Sequence, residues 1–275
     1  MKNKDIKLIC LDIDGTLLDK NRDISTRTGE VFKKLNANYK TVLASSRMPS
    51  AMYYLQEKLG ISGEPLIAYN GALILGKDQK TIKSLPLPLH FLSAILEHQK
   101  NHAYNVSTYC GDIWRTAQKD KWTEHEIMAT RVEPEFVAND QLLNELKDQD
   151  QEPHKIMCMG PEEHLDDLIN HLKKNDYDKI VNLYRSKKTY LEIITKSTNK
   201  SDALSYLLSQ EYSLEMKNVI AFGDNYNDIE LLKHAGWGIA VANAKEEVKE
   251  ASDYTSEFTN KEDAVALELE KYLYE

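Results

Sequence analysis

Cysteine is scarce in this chain of 275 residues: there are three, Cys10, Cys110 and Cys158, far apart and odd in number. They form no CxxC pair, which speaks against a disulfide framework and against a cysteine-based metal site. Basic charge is also in deficit. The 44 acidic residues outnumber 35 lysines and arginines, giving a net charge of −9. General binding to nucleic acid or to anionic membranes is therefore not expected. Long apolar runs are missing as well, since about 18–20 residues are needed to span a bilayer. The basic start, MKNKDIKLICLDIDG, has its apolar stretch interrupted by charges and no small-residue cleavage site after it. It reads as a first core strand, so a cytoplasmic protein is the expectation. There is no internal repeat and no low-complexity tract. What remains is ordinary for a globular chain, 41% apolar and 29% charged, long enough for one large or two modest domains.

The first and last thirds alternate strand and helix. Residues 7–13 and 41–47 read as buried strands, and 25–37 and 50–60 as helices. "PLIAYNGALIL" (65–75) reads as two strands joined at Asn70-Gly71, a hairpin signal. After residue 200 come a helix (200–211), a strand (218–224), a helix closed by Gly236, a strand (238–243) and a last helix (261–274). This alternation predicts a parallel sheet covered on both faces. The middle differs, with shorter, more polar strands, a helix over 90–102 and another over 163–174. The expected architecture is α/β, a Rossmann-like doubly wound parallel sheet core with an inserted α+β cap. The expected boundaries are 1–82 plus 189–275 for the core and 83–188 for the cap.

Reactive residues stand at the ends of the core strands. "ICLDIDGTLLD" (9–19) places Asp12 and Asp14 one residue apart, hence on the same face of a strand. "TVLASSR" (41–47) ends in Ser45 and Ser46, "GDNYND" (223–228) contributes Asp224 and Asp228, and Lys200 opens a helix. Ligands in open parallel sheets sit beyond the carboxyl ends of the strands. Four bare carboxylates gathered there repel by several kcal/mol at low effective dielectric. A hard divalent cation and the lysine relieve that repulsion, and Mg²⁺ suits an oxygen site shared with a phosphate. In this reading the metal binds one Asp12 oxygen, the Asp14 carbonyl and Asp224, while the other Asp12 oxygen attacks phosphorus. Asp14 acts as general acid, which requires a raised pKa. Ser45 and Lys200 bind the phosphate.

"LDIDGTLL" together with "GDNYND" resembles the haloacid dehalogenase superfamily of aspartate-nucleophile phosphotransferases. "LASSRMP", "YNGA" (69–72), "YLEIITKSTNKSDAL" (190–204) and the stretch from Ile239 that contains Asn243 and Asn260 are similar to its Cof-type branch with a type IIB cap. The resemblance covers about residues 5–82 and 189–270; the cap matches only in length and element type. It implies Asp12 as nucleophile and metal ligand, and Asp14 as acid/base and metal ligand through its carbonyl. It implies Ser45, Lys200 and Asn227 as phosphate contacts and Asp224 as the acidic metal ligand, with Asp228 supporting the metal or Lys200 from behind. Asn70, Gly71 and Arg47 are candidates for substrate binding. Ser46, Ser201 and Ala264 depart from the family's usual glycines, and Ser46 competes with Ser45 for the phosphate role.

The implied activity is a Mg²⁺-dependent phosphatase of a small phosphate ester: a sugar phosphate, a flavin nucleotide or pyridoxal phosphate. Two alternatives are a hexose phosphate phosphomutase and a non-catalytic metabolite-binding regulator. A phosphomutase needs several cap arginines, and the insertion holds only Arg115, Arg131 and Arg185, which ranks that alternative lower. The eight histidines show no HExxH and read as surface residues. Tyr109, Trp114 and Trp122 read as cap core, and Arg185 and Lys187 as solvated charge.

Overall fold

The computed structural model describes residues 5–273. In chain order, β1 (Leu8–Leu11), α1 (Thr26–Leu35), β2 (Lys40–Ala44), α2 (Ser50–Leu59), β3 (Leu66–Ala68), β4 (Leu73–Leu75) and β5 (Thr81–Ser84) come first. Next come α3 (Leu89–Gln99), β6 (Asn105–Cys110), β7 (Ile113–Thr116), α4 (Lys121–Thr130), β8 (Glu135–Phe136) and α5 (Asn139–Asp148). They are followed by β9 (Lys155–Met159), α6 (Glu162–Lys174), β10 (Val181–Lys187) and β11 (Tyr190–Thr195). The chain then runs through α7 (Lys200–Glu211), β12 (Val219–Gly223), α8 (Ile229–His234), β13 (Trp237–Ala240), α9 (Glu246–Ala251), β14 (Tyr254–Thr255) and α10 (Ala264–Leu273). Among the described residues, no helix is long and apolar enough to cross a membrane.

The chain divides into two compact units. One gathers the described residues up to Arg47, Met52–Lys83 and those from Asn199 onward; the other takes Met48–Ala51 and Ser84–Thr198. The first carries a mainly parallel sheet in the order β14-β13-β12-β1-β2-β3-β4-β5. All four residues of β1 are buried, as a strand with helices on both faces requires. It pairs in parallel with β12 (Cys10 opposite Ala221) and with β2 (Cys10 opposite Val42). The order of strands thus reverses at β1, and the crevice beyond its carboxyl end is the natural ligand position. The hairpin at Asn70-Gly71 is present, with β3 and β4 antiparallel and Ala68 opposite Leu73. Leu8, Cys10, Val42, Leu204, Leu208 and Ala221 belong to a single apolar core.

The second unit has a mixed sheet in the order β10-β11-β9-β6-β7-β8, antiparallel except for the β7–β8 pair. Its core includes Phe91, Ile95, Ile156, Leu165, Leu168 and Leu172. The last three leucines recur at helical spacing on α6, where the sequence pattern puts an apolar face. Two expectations shift here. The helix expected over 90–102 ends at Gln99, which leaves His102 in the turn beyond it. The boundary expected at 188/189 falls inside this sheet, because β11 pairs with β9 (Leu191 opposite Cys158) and with β10. A strand's partner is set by long-range pairing, and its local pattern does not reveal it.

Candidate active site

Beyond β1 the backbone makes one wide turn over Ile13–Leu17, closed by the Leu18 N–H on the Ile13 carbonyl at 3.1 Å. Gly15 sits at φ +88°, and a Cβ there would collide with the Asp224 carboxylate. Only glycine allows this turn to lie so close to the end of β12. Two asparagine side chains from the C-terminal third fasten the loop: Asn243 donates to the Gly15 carbonyl at 2.8 Å and Asn260 to the Leu18 carbonyl at 2.6 Å. Thr16 donates to Asp224 at 3.3 Å.

Lys200 opens α7, behind an Asn199 cap that accepts the Asp202 N–H at 2.9 Å. A cation at a helix N-terminus opposes the helix dipole, and this one is also fully buried. Its ammonium donates to Asp12 Oδ1 at 2.5 Å and to Asp228 Oδ1 at 2.7 Å. Burial works against its charge, but Asp12 and Asp228 outweigh burial and raise its pKa. Asp228 is fully engaged, because its Oδ2 also accepts the Asp224 and Asn225 N–H groups at 3.0 and 3.1 Å.

Asp12, Asp224 and Asp228 bring carboxylate oxygens within 4.8 Å of one another. Burial and Asp228 push Asp12 well above the usual carboxylate range, and push Asp224 up to about 6. Asp12 Oδ2 is buried with no hydrogen-bond partner. Such an orphaned oxygen among like charges is costly. A hard cation held by Asp12 Oδ2 and Asp224 would remove that cost, so the donor set fits Mg²⁺.

Asp14 behaves differently from the expectation. Desolvation pushes its pKa up, yet the bonds and charge of Arg47, with Arg22 and Lys200, bring it below the ordinary value. Arg47 grips it with two nitrogens, Nε at 2.7 Å and Nη2 at 2.8 Å, and Arg22 adds a third contact at 3.1 Å. The raised pKa required for a general acid is therefore not what this arrangement produces. Such a bidentate guanidinium pair favours the ionised carboxylate. Nothing in the sequence points to Arg22, which follows Asp14 by eight residues in a polar loop.

Ser45 is buried, and its hydroxyl accepts the Arg47 N–H at 3.2 Å; Ser46 is half-buried. Asn70, at φ +54°, sends its N–H to the Ser45 carbonyl at 2.8 Å. Its side chain accepts from Asn227 at 2.9 Å, and Gly71 beside it is buried. The structure therefore brings Asp12, Asp224, Asp228 and Lys200 into one cluster. It ties Asp14 to Arg47, and through Arg47 and Ser45 to Asn70 and Asn227. In the second unit, Tyr109 and Trp114 are buried and stacked at 5.7 Å. Arg115 is internal, and Arg185 pairs with Asp166 at 3.2 Å.

The family model of the haloacid dehalogenase-like hydrolases matches residues 9–269. A Haemophilus influenzae protein named provisionally as a phosphatase is 32% identical, over 96% of this chain and 97% of its own length. A Bacillus subtilis 5-amino-6-(5-phospho-D-ribitylamino)uracil phosphatase, YcsE, is 28% identical over 95% and 94%. The crystal structure of a haloacid dehalogenase-like hydrolase from Bacteroides thetaiotaomicron superposes with a TM-score of 0.87 at 30% identity. That likeness covers 97% of this chain and 99% of the other. With the acidic cluster and its buried lysine at the sheet's switch point, these likenesses agree: the chain belongs to the haloacid dehalogenase-like hydrolases and is a phosphatase of that superfamily.

Proposed function

We propose that this phosphatase hydrolyses a small phosphorylated metabolite, of the sugar phosphate, flavin nucleotide or pyridoxal phosphate class, through a phosphoryl group carried on Asp12. The observation that carries the reading is the unequal state of the two Asp12 oxygens: Oδ1 is held by Lys200, and Oδ2 is buried and bare. Asp12 Oδ2, Asp224 and the Asp14 carbonyl would hold Mg²⁺, which when bound neutralises the acidic cluster and polarises the phosphoryl oxygens. Asp12 Oδ1 meets phosphorus, with the Lys200 ammonium beside it to offset charge that builds on the phosphoryl group. Ser45 and Asn227 bind the remaining phosphate oxygens, and Asn70, Gly71 and Arg47 face the rest of the ester. Asp228 keeps Lys200 charged and aligned.

Asp14, ionised beside Arg47, is suited to take the proton of the water that frees phosphate from Asp12. Protonating the leaving oxygen first requires that the Arg47 pair open. The unit around Ser84–Thr198 acts as the cap that selects the ester, and the boundary proposed for the cap is the one expected from sequence, extended past residue 188 so that β11 belongs to it. The substrate class is supported by the names of the Bacillus subtilis relatives YcsE and YitU, each 28% identical.

The test is turnover of p-nitrophenyl phosphate with and without Mg²⁺ by the wild type and by Asp12→Asn. Asp12→Asn should lose at least ~10⁴-fold in kcat, the scale on which a covalent nucleophile acts. Undiminished turnover would exclude this mechanism. A panel of phosphorylated metabolites then ranks substrates by kcat/KM.

A further inference from the structure

Far from the acidic cluster in sequence, the second unit assembles four histidines and an aspartate. His98 lies in the last turn of α3 and His102 in the turn beyond it. His164, Asp167 and His171 recur at helical spacing along α6. The rings of His98 and His102 are stacked at 4.0 Å, His171 lies 4.8 Å from His98, and His164 lies 5.5 Å from His102, centre to centre. Both His98 Nε2 and His102 Nε2 face one oxygen, Asp167 Oδ2, at 3.2 and 2.9 Å.

The protons on these rings are assigned by their other contacts. His102 Nδ1 lies 2.7 Å from the His98 carbonyl. A carbonyl only accepts, so Nδ1 carries the hydrogen, and in the neutral ring Nε2 is a lone pair. The Tyr104 hydroxyl lies 3.2 Å from the Ile95 carbonyl and 3.0 Å from His98 Nδ1; with its hydrogen on the carbonyl, its oxygen accepts from His98 Nδ1. His98 Nε2 is then a lone pair too. In that state two nitrogen lone pairs converge on a carboxylate oxygen, an arrangement that repels unless a proton or a metal ion joins them. Outward-facing ring N–H groups anchored on a carbonyl and a hydroxyl are the support that metal-bound histidines use.

We propose that His98, His102 and Asp167 form a binding site for a divalent transition metal ion of the Zn²⁺ class. The three donor atoms lie within 4.8 Å of one another, and ligands around a tetrahedral ion with bonds of ~2.0–2.1 Å sit roughly 3.4 Å apart, so small side-chain rotations close the site. Imidazole nitrogens with one carboxylate suit Zn²⁺, whereas Mg²⁺ and Ca²⁺ take oxygen. A water, or a turn of His164 or His171, completes four-coordination. The site ties the end of α3 to α6 inside the second unit, which makes it a structural clamp. It is independent of the phosphatase reading, and its donors are distinct from the acidic cluster.

The experiment measures Zn²⁺ affinity of the full chain by competition with a chromophoric chelator, with Mg²⁺ in large excess to hold the acidic cluster. The wild type should take up one tight equivalent. His102→Ala and Asp167→Asn should each weaken it ~100-fold or more, while Asp224→Asn leaves it unchanged. Asp167 is 60% exposed, so Asp167→Asn keeps the fold if His102→Ala does not. Co²⁺ in place of Zn²⁺ should give the intense visible bands of a four-coordinate site, lost in the same two variants. Absence of a tight equivalent overturns the proposal, as does an equivalent that both variants retain. So does an NMR titration that finds His102 doubly protonated above pH 7 with Zn²⁺ present, because the cluster is then only an imidazolium–carboxylate pair.

Discussion

Among the described residues the most deeply buried cation of the first unit is Lys200 and that of the second is Arg115, and the two are treated differently. Lys200 in the first unit is fully buried among Asp12, Asp224 and Asp228, three carboxylates against one ammonium, with Asp12 Oδ2 left bare. Arg115 in the second unit is 2% exposed, and every nitrogen is engaged. Its Nε meets Glu135 at 3.0 Å and Glu145 at 3.2 Å, Nη1 donates to Gln151 at 2.9 Å and Nη2 to Gln149 at 2.8 Å. The carboxylates on Arg115 reach solvent, at 56% and 33% exposure, so water shares their charge. Those on Lys200 do not, at 7% and 0%. A saturated cation is a structural part, and an oversubscribed one waits for a ligand. Arg115 is one of only three arginines in the insertion, too few to favour a phosphomutase, and its donors are consumed inside the fold.

The largest effect that would test this contrast is in Lys200→Met. It strands Asp12 and Asp228 in the interior, so denaturant unfolding should show a loss of about 3–5 kcal/mol together with loss of phosphatase activity. A variant as stable as the wild type would break the comparison.

Next come opposite responses to pH in the metal-free protein. Asp224 titrates near 6 when folded, above its ordinary 3.8, so the folded first unit holds the extra proton between those values. Its stability falls as pH rises from about 4 to 6. His154 is pushed down to about 4 by burial, and its Nδ1 accepts the Gly111 N–H at 3.0 Å. The unfolded state binds the extra proton there, so the second unit loses stability as pH falls from 6.5 towards 4, by on the order of 2 kcal/mol. Hydrogen exchange resolved by unit should show the two slopes with opposite sign; a common sign refutes the assignment.

Arg115→Met is expected to cost less than Lys200→Met, about 1–2 kcal/mol, because Glu135 and Glu145 turn to water. The kcat should stay within about twofold. The smallest effect belongs to Asp224→Asn. With chelator present it should raise the unfolding free energy by about 1 kcal/mol, through relief of like-charge repulsion, and it should abolish the stabilisation that Mg²⁺ confers on the wild type.

Much of the first unit was legible in the residues. Buried apolar runs that end in Asp12, Asp14, Ser45 and Asp224 mark parallel strands whose carboxyl ends carry chemistry, and Gly15 and Asn70-Gly71 mark the turns. Lys200 breaks a local rule, a cation at a helix start, and such breaks mark functional positions. The Arg47–Asp14 pair was hidden, because 33 residues separate the two and no periodicity relates them. With it went the direction of the Asp14 pKa. The pairing of β11 with β9 was hidden for the same reason, as was the convergence of α3 and α6 histidines, which share no linear spacing.

By itself the sequence determined most of the strands and helices, though not β5, α4 or α9, and with them which faces they bury and which residue types can hold a metal or attack phosphorus. Those properties follow from alternation, side-chain volume and charge within a few residues. The tertiary structure alone decided which charges neutralise one another. Whether a carboxylate keeps one bare oxygen like Asp12, is held ionised like Asp14 or is saturated like Asp228 depends on distances of a few ångströms between residues far apart in the chain. Electrostatic energy in a dry interior falls or rises steeply over that range.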